Sequence, residues 1–137
     1  MSELNHNSVS IRFSGKGLDP EVLCKRLEYK ESPTTRMFVK RLKSGVIVVS
    51  ISLENEQPVC LEDKIMALLM EFTADVIVWA DIRELYKPDV FCGLFMDSIN
   101  QGLELSPEVL KALSERHLKL GLDIYTPVEA WPDDHRE

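Results

Sequence analysis

The side chains with which this chain could build a nucleophile or a metal centre are few: Cys24, Cys60 and Cys92, and His6, His117 and His135. Spacing does little to assemble them. No CxxC, HxH or HxxxH occurs, so the ligand pairs that a zinc site takes from one strand or helix are absent. A thiolate nucleophile would need a basic or polar setting, whereas all three cysteines sit among apolar neighbours that raise a thiol pKa. Reduced, buried cysteines are the expectation, with an approach of one of them to His117 in space as the alternative. The "DDH" at 133–135 is a weak cation motif within a polar tail.

Two other constellations invite chemistry. "SGKG" at 14–17 is a glycine-rich turn ahead of a helix, where N–H groups could hold a phosphate. Its spacing matches neither a P-loop nor a dinucleotide fingerprint, and Asp19 places a negative charge where the anion would sit. Carboxylates pair at Glu54 and Glu56, Glu62 and Asp63, and Asp81 and Glu84. In an acidic chain such pairs arise readily, and acid–base work would need two of them in one apolar cleft. No catalytic residue, metal or cofactor is therefore assigned.

The elements that must position these residues follow from periodicity. "SVSIRFS" at 8–14 alternates Val9, Ile11 and Phe13 with serines and Arg12, the period of a half-buried strand. Asp19, Pro20 and Glu21 then cap and open a helix over 20–29, with Leu18 and Leu23 as its staple and Val22, Leu23, Leu27 and Cys24 facing inward. Strands are expected at 36–42 and 46–53, the latter apolar enough to lie centrally. Leu61, Ile65, Leu68, Leu69 and Phe72 mark a helix over 61–72. The runs at 75–82 and 89–97 read as two strands joined by "RELYKP" in a hairpin. "GLELSPEVL" at 102–110 echoes "GLDPEVL" at 17–23: Ser106, Pro107 and Glu108 repeat the cap, proline and acid, and Leu105 and Leu110 the staple. A helix from 107 to 117 and a strand over 118–125 close the domain.

The order β-α-β-β-α-β-β-α-β gives an α+β fold, a mixed or antiparallel sheet of about six strands with three helices on one side. Residues 1–130 form one domain, and 131–137 a polar tail. The strands at either end of the chain, with "GLDPEVLCKRLEYKESPTTR" and "NQGLELSPEVLKALSERHLKLGLDIY", resemble the bacterial family called domain of unknown function 4279. The middle departs from that family's usual pattern, with "KRLKSGVIVVS" where a Lys-Gly and a Gly-Trp strand start would stand. The resemblance implies a compact α+β domain and brings no activity or site residue with it.

Charge narrows the partners. The chain carries −7 overall, but residues 1–45 hold nine Lys or Arg and five Asp or Glu, and the remainder seven and eighteen. The acidic balance disfavours nucleic acid, although Arg36, Lys40, Arg41 and Lys43 cluster around Phe38. No run nears the ~18 apolar residues of a membrane span, and "MSELNHNS" lacks the pattern of a secretory signal, so a cytoplasmic protein without a membrane partner is expected. A small acidic domain without an assembled catalytic motif suggests a noncatalytic protein-interaction role, such as an immunity-type protein neutralising a basic toxin. Asp81, Glu84, Tyr86 and Asp89 near the hairpin, with Trp131 in the tail, are the candidate partner-binding residues. The alternatives are a ligand or substrate pocket between sheet and helices with Tyr125 at its edge, and a homodimer through an edge strand.

Overall fold

The computed structural model describes residues 2–54 and 60–127. In chain order the elements are β1 (Ser2–Glu3), β2 (Asn7–Lys16), α1 (Pro20–Leu27), β3 (Thr35–Arg41), β4 (Val46–Leu53), α2 (Leu61–Leu69), α3 (Val76–Tyr86), β5 (Asp89–Phe95), β6 (Gln101–Gly102), α4 (Pro107–Glu115) and β7 (Lys119–Tyr125). Five strands form an open mixed sheet in the order β3-β4-β2-β5-β7, antiparallel except for the parallel pair β5 and β7. β1 and β6 make a separate parallel pair.

Alternation along β2 decides the layering. Ile11 lies opposite Ile51 and Val90, and Phe13 opposite Val49, so the apolar positions of three strands share one face. On that face lie Leu23 and Leu27 of α1, Ile65, Leu68 and Leu69 of α2, Trp79 and Ile82 of α3, and Val109 and Leu113 of α4. All belong to one buried cluster, which runs from Leu4 to Leu118. The helices thus cover one side of the sheet. Burial of this apolar area is the main stabilising force, at roughly 25 cal/mol per Å².

Local chemistry fixes the helix starts. The Asp19 carboxylate accepts from the N–H groups of Glu21 and Val22, at 3.0 and 3.4 Å, and Ser106 Oγ accepts from Val109 N at 3.4 Å. Gly17, at φ 71°, makes the left-handed turn into α1. The first staple closes, because Leu18 and Leu23 are both buried. The second does not: Leu110 is exposed, as is Val22, which was expected to face inward.

The main departure from the sequence reading is residues 75–86. The run expected as a strand at 75–82, and the hairpin it would start, are replaced by α3, so the helices number four among the described residues. Valine and isoleucine favour strands only weakly, and packing overrides them. Asp75 caps the helix by accepting from Ile77 N at 2.9 Å. Trp79 and Ile82, one turn apart, are fully buried. Trp79 packs near the Phe13 and Phe72 rings and donates Nε1–H to the Thr73 carbonyl at 2.7 Å. Ile77 is left 72% exposed, which a helix tolerates because only one stripe needs to be buried. The strand order also differs from a chain of hairpins, since β2 lies centrally between β4 and β5.

Candidate functional site: the uncovered face of the sheet

The same alternation that buries Ile11 and Phe13 sends Ser8, Ser10, Arg12, Ser14 and Lys16 to the side of the sheet that none of the described helices covers. Register then assembles a surface. Ser10 lies between Ser52 and Phe91, and Arg12 between Ser50 and Asp89. Arg36 and Phe38 continue these rows on β3, while Gly121 and Lys119 continue them on β7. Further along, Gly93 lies opposite Ser8 and Asp123, and Phe95 opposite Tyr125.

Four aromatic rings lie on this face, and each has a neighbour. Arg12 makes a two-pronged pair with Asp89, Nε to Oδ1 at 2.9 Å and Nη2 to Oδ2 at 2.6 Å, and its guanidinium stands 4.4 Å from the Phe91 centroid. The Asp89 hydrogen bonds push the Arg12 pKa further up, against the opposing pull of burial. Arg36 stands 5.3 Å over Phe38. Phe95 stacks on Tyr125 with centroids 5.0 Å apart and planes 7° from parallel, and His6 lies 5.1 Å from Phe95. The Tyr125 hydroxyl donates to Asp123, and that bond raises the tyrosine pKa. Gly93 makes room for this arrangement, because a Cβ there would come within 2.7 Å of Ser8 Oγ and 3.3 Å of the Phe95 ring. The result is a surface of rings, serines and guanidinium groups over the paired strands of the sheet.

The residues singled out from sequence are dispersed over two faces. Asp81 is on the exposed side of α3, where it pairs with Arg26 at 2.9 Å. Glu84 is exposed near the C-terminus of α3. Tyr86 packs over Gly15, whose missing side chain admits the ring. Asp89 is on the opposite side of the sheet, held by Arg12. Trp131, Glu56 and His135 lie outside the described residues.

The other candidates are occupied structurally. Burial pushes the Cys92 thiol up to about 12; Cys24 is raised by burial and then by Glu31, and Cys60 by its hydrogen bond with Asp63. His117 Nδ1 lies 3.3 Å from Arg83 Nη1. Glu62 accepts from Ser106 N at 2.7 Å, tying α2 to the start of α4. Asp19 fills the N-terminus of α1, where "SGKG" would have held an anion. Among the described residues no group of three His, Cys, Asp or Glu is placed to hold a metal ion. No helix among them is long and apolar enough to cross a membrane. A groove of about 730 Å³ does lie between sheet and helices, lined by Arg83, Glu84, Lys87, Leu110, His117 and Leu120, but Tyr125 is not part of it.

The uncovered face was not visible to a reading of one strand at a time. Its signals were the serines of "SVSIRFS" and the aromatic residues at 38, 91 and 95, which only the register brings together. Fold and surface together define an α+β domain with an open mixed sheet, helices on one side and an aromatic, serine-rich face on the other. The chain belongs to the family described as Domain of unknown function (DUF4279), which it matches over residues 3–127. No curated protein and no solved structure matches it.

Proposed function

We propose that this domain is a noncatalytic protein-binding module whose contact surface is the uncovered sheet face. The observation that carries the proposal is the exposure of aromatic side chains there, with Phe38 at 47% and Tyr125 at 48%, on a face that none of the described helices packs against. A solvated sheet face ordinarily reads as polar residues alone. Rings flanked by serine and arginine suit a protein contact, where aromatic residues and arginine concentrate binding energy. The face carries Arg12, Lys16, Arg36, Lys40 and Lys119 against Asp89 and Asp123, so the complementary partner presents acidic and apolar groups. Base stacking by a single-stranded nucleic acid is less well served, because it needs free ring faces. Here Phe91 and Phe38 each have a guanidinium over them, and Phe95 is stacked on Tyr125.

The charge distribution favours one second reading. The helix side exposes Glu21, Asp75, Asp81, Glu84, Glu108 and Glu115 among Lys25, Arg83, Lys87 and Lys111, an acidic excess that suits a basic partner such as the toxin of an immunity pair. One experiment separates the two. Baits are the wild type, a sheet-face variant (Arg36→Glu, Phe38→Ser, Lys40→Glu) and a helix-side variant (Asp81→Lys, Glu84→Lys), each used to capture partners from lysate of the source organism. Loss of a specific protein by the sheet-face variant alone supports the proposal. Loss by the helix-side variant alone moves the contact to the helices, and retention of that partner by both variants overturns both assignments.

A further inference from the structure

The two edges of the sheet are defended differently. β3 carries Arg36, Lys40 and Arg41, charges of the kind that keep an edge strand from pairing with another chain. β7, "KLGLDIY", has a lysine only at its start and leaves Leu122 at 46% and Ile124 at 56% exposed. Its other side is already paired to β5. The Tyr125 carbonyl accepts from Met96 N at 2.9 Å, on the β5 side. Strand alternation therefore directs the peptide groups of Leu120, Leu122 and Ile124 toward the outer edge, where β7 has no partner among the described strands.

We infer that β7 pairs antiparallel with β7 of a second copy of this chain, forming a two-fold dimer with a continuous ten-stranded sheet. The charges on β7 are self-complementary in one register. When Lys119 stands opposite Asp123 of the second copy, Asp123 stands opposite the second Lys119, and Gly121 faces its own symmetry mate. In that register Leu120 falls opposite Leu122, both with outward peptide groups, so the pair exchanges ladder hydrogen bonds. Lys119 and Asp123 then occupy the closer, non-hydrogen-bonded pair, where opposite charges favour pairing and like charges oppose it. A two-fold contact requires one patch to fit itself, and this strand does so by charge and by apolar side chains. The dimer would also join two uncovered faces into one surface, but it rests on the edge strand alone and does not depend on the binding role proposed above.

Sedimentation of the full chain across a concentration series tests the inference. The expected result is a concentration-dependent rise from the 15.7 kDa chain mass to twice that value. Lys119→Glu, which sets like charges opposite one another, should weaken the dimer by about tenfold, and Lys119→Glu combined with Asp123→Lys should restore it. Leu122→Asp, at a half-exposed position and with folding checked by circular dichroism, should leave only monomer. A wild type that stays at the chain mass throughout overturns the inference. So does a dimer indifferent to Leu122→Asp, and a double variant no tighter than Lys119→Glu overturns the register.

Discussion

At the scale of single residues, Cys92 connects sequence, burial and pH. Its apolar flanks marked it as a core thiol, and in the folded chain it is fully buried on β5 opposite Val9. Burial disfavours the thiolate and pushes the pKa up to about 12, whereas an unfolded cysteine titrates near its ordinary value. Between those two values the unfolded chain releases a proton that the folded chain keeps. Stability from this group is therefore complete below the unfolded pKa and is lost as pH rises toward about 12. The expected slope is at most about 1.4 kcal/mol per pH unit. Urea unfolding at several alkaline pH values checks it by comparing wild type with Cys92→Ala. The variant should be less stable at neutral pH but should lose less as pH rises; equal losses would show that other groups carry the alkaline sensitivity. The same burial predicts that native Cys92 resists alkylation until the chain unfolds.

At the scale of elements, legibility followed how fully a segment states its own constraints. β2 declared itself through strict alternation, and α1 and α4 through cap, proline and acid, all local signals. α3 did not, because "VIVWADI" has strand-favouring residues and its helical stripe is only Trp79 and Ile82. What decides it is a partner surface made by Phe13 and Phe72, remote in sequence. The candidate site was hidden for a related reason: Arg12, Phe91 and Asp89 become neighbours only through the pairing of β2 with β5. The expected acidic patch depended on the hairpin, and with α3 in its place Asp81 and Asp89 fall on opposite sides of the sheet. Substitution distinguishes the helix from the strand. Trp79→Ala should cost about 3–5 kcal/mol, as for a large buried aromatic. Ile77→Lys should stay within about 0.5 kcal/mol, because its side chain already faces water. A strand would put residues 77 and 79 on one face and make both changes similar, so denaturant midpoints of the two variants decide the matter.

At the scale of the whole molecule, the organising fact is a sheet whose two faces do different work. One face and four helices share the core; the other combines aromatic rings with basic and small residues and contributes little to that core. The acidic surplus of the chain therefore does not describe this face, where basic side chains outnumber acidic ones. If the rings are there for a partner, removing the most exposed of them should cost the fold far less than removing a core ring. Phe38 and Tyr125 lie about half in solvent, so little apolar area is lost from the folded state when they are shortened. Phe38→Ser with Tyr125→Ser loses the Arg36 contact and the Phe95 stack, and should lower the unfolding free energy by about 1–2 kcal/mol. The control is Phe13→Ala on the covered face, which should cost about 3–5 kcal/mol. Denaturation curves for the three proteins compare the faces directly. A small loss in the double variant, combined with loss of the captured partner, would assign these rings to recognition. A loss approaching that of Phe13→Ala would make the uncovered face a structural element of the fold and remove the reason for proposing it as a binding surface.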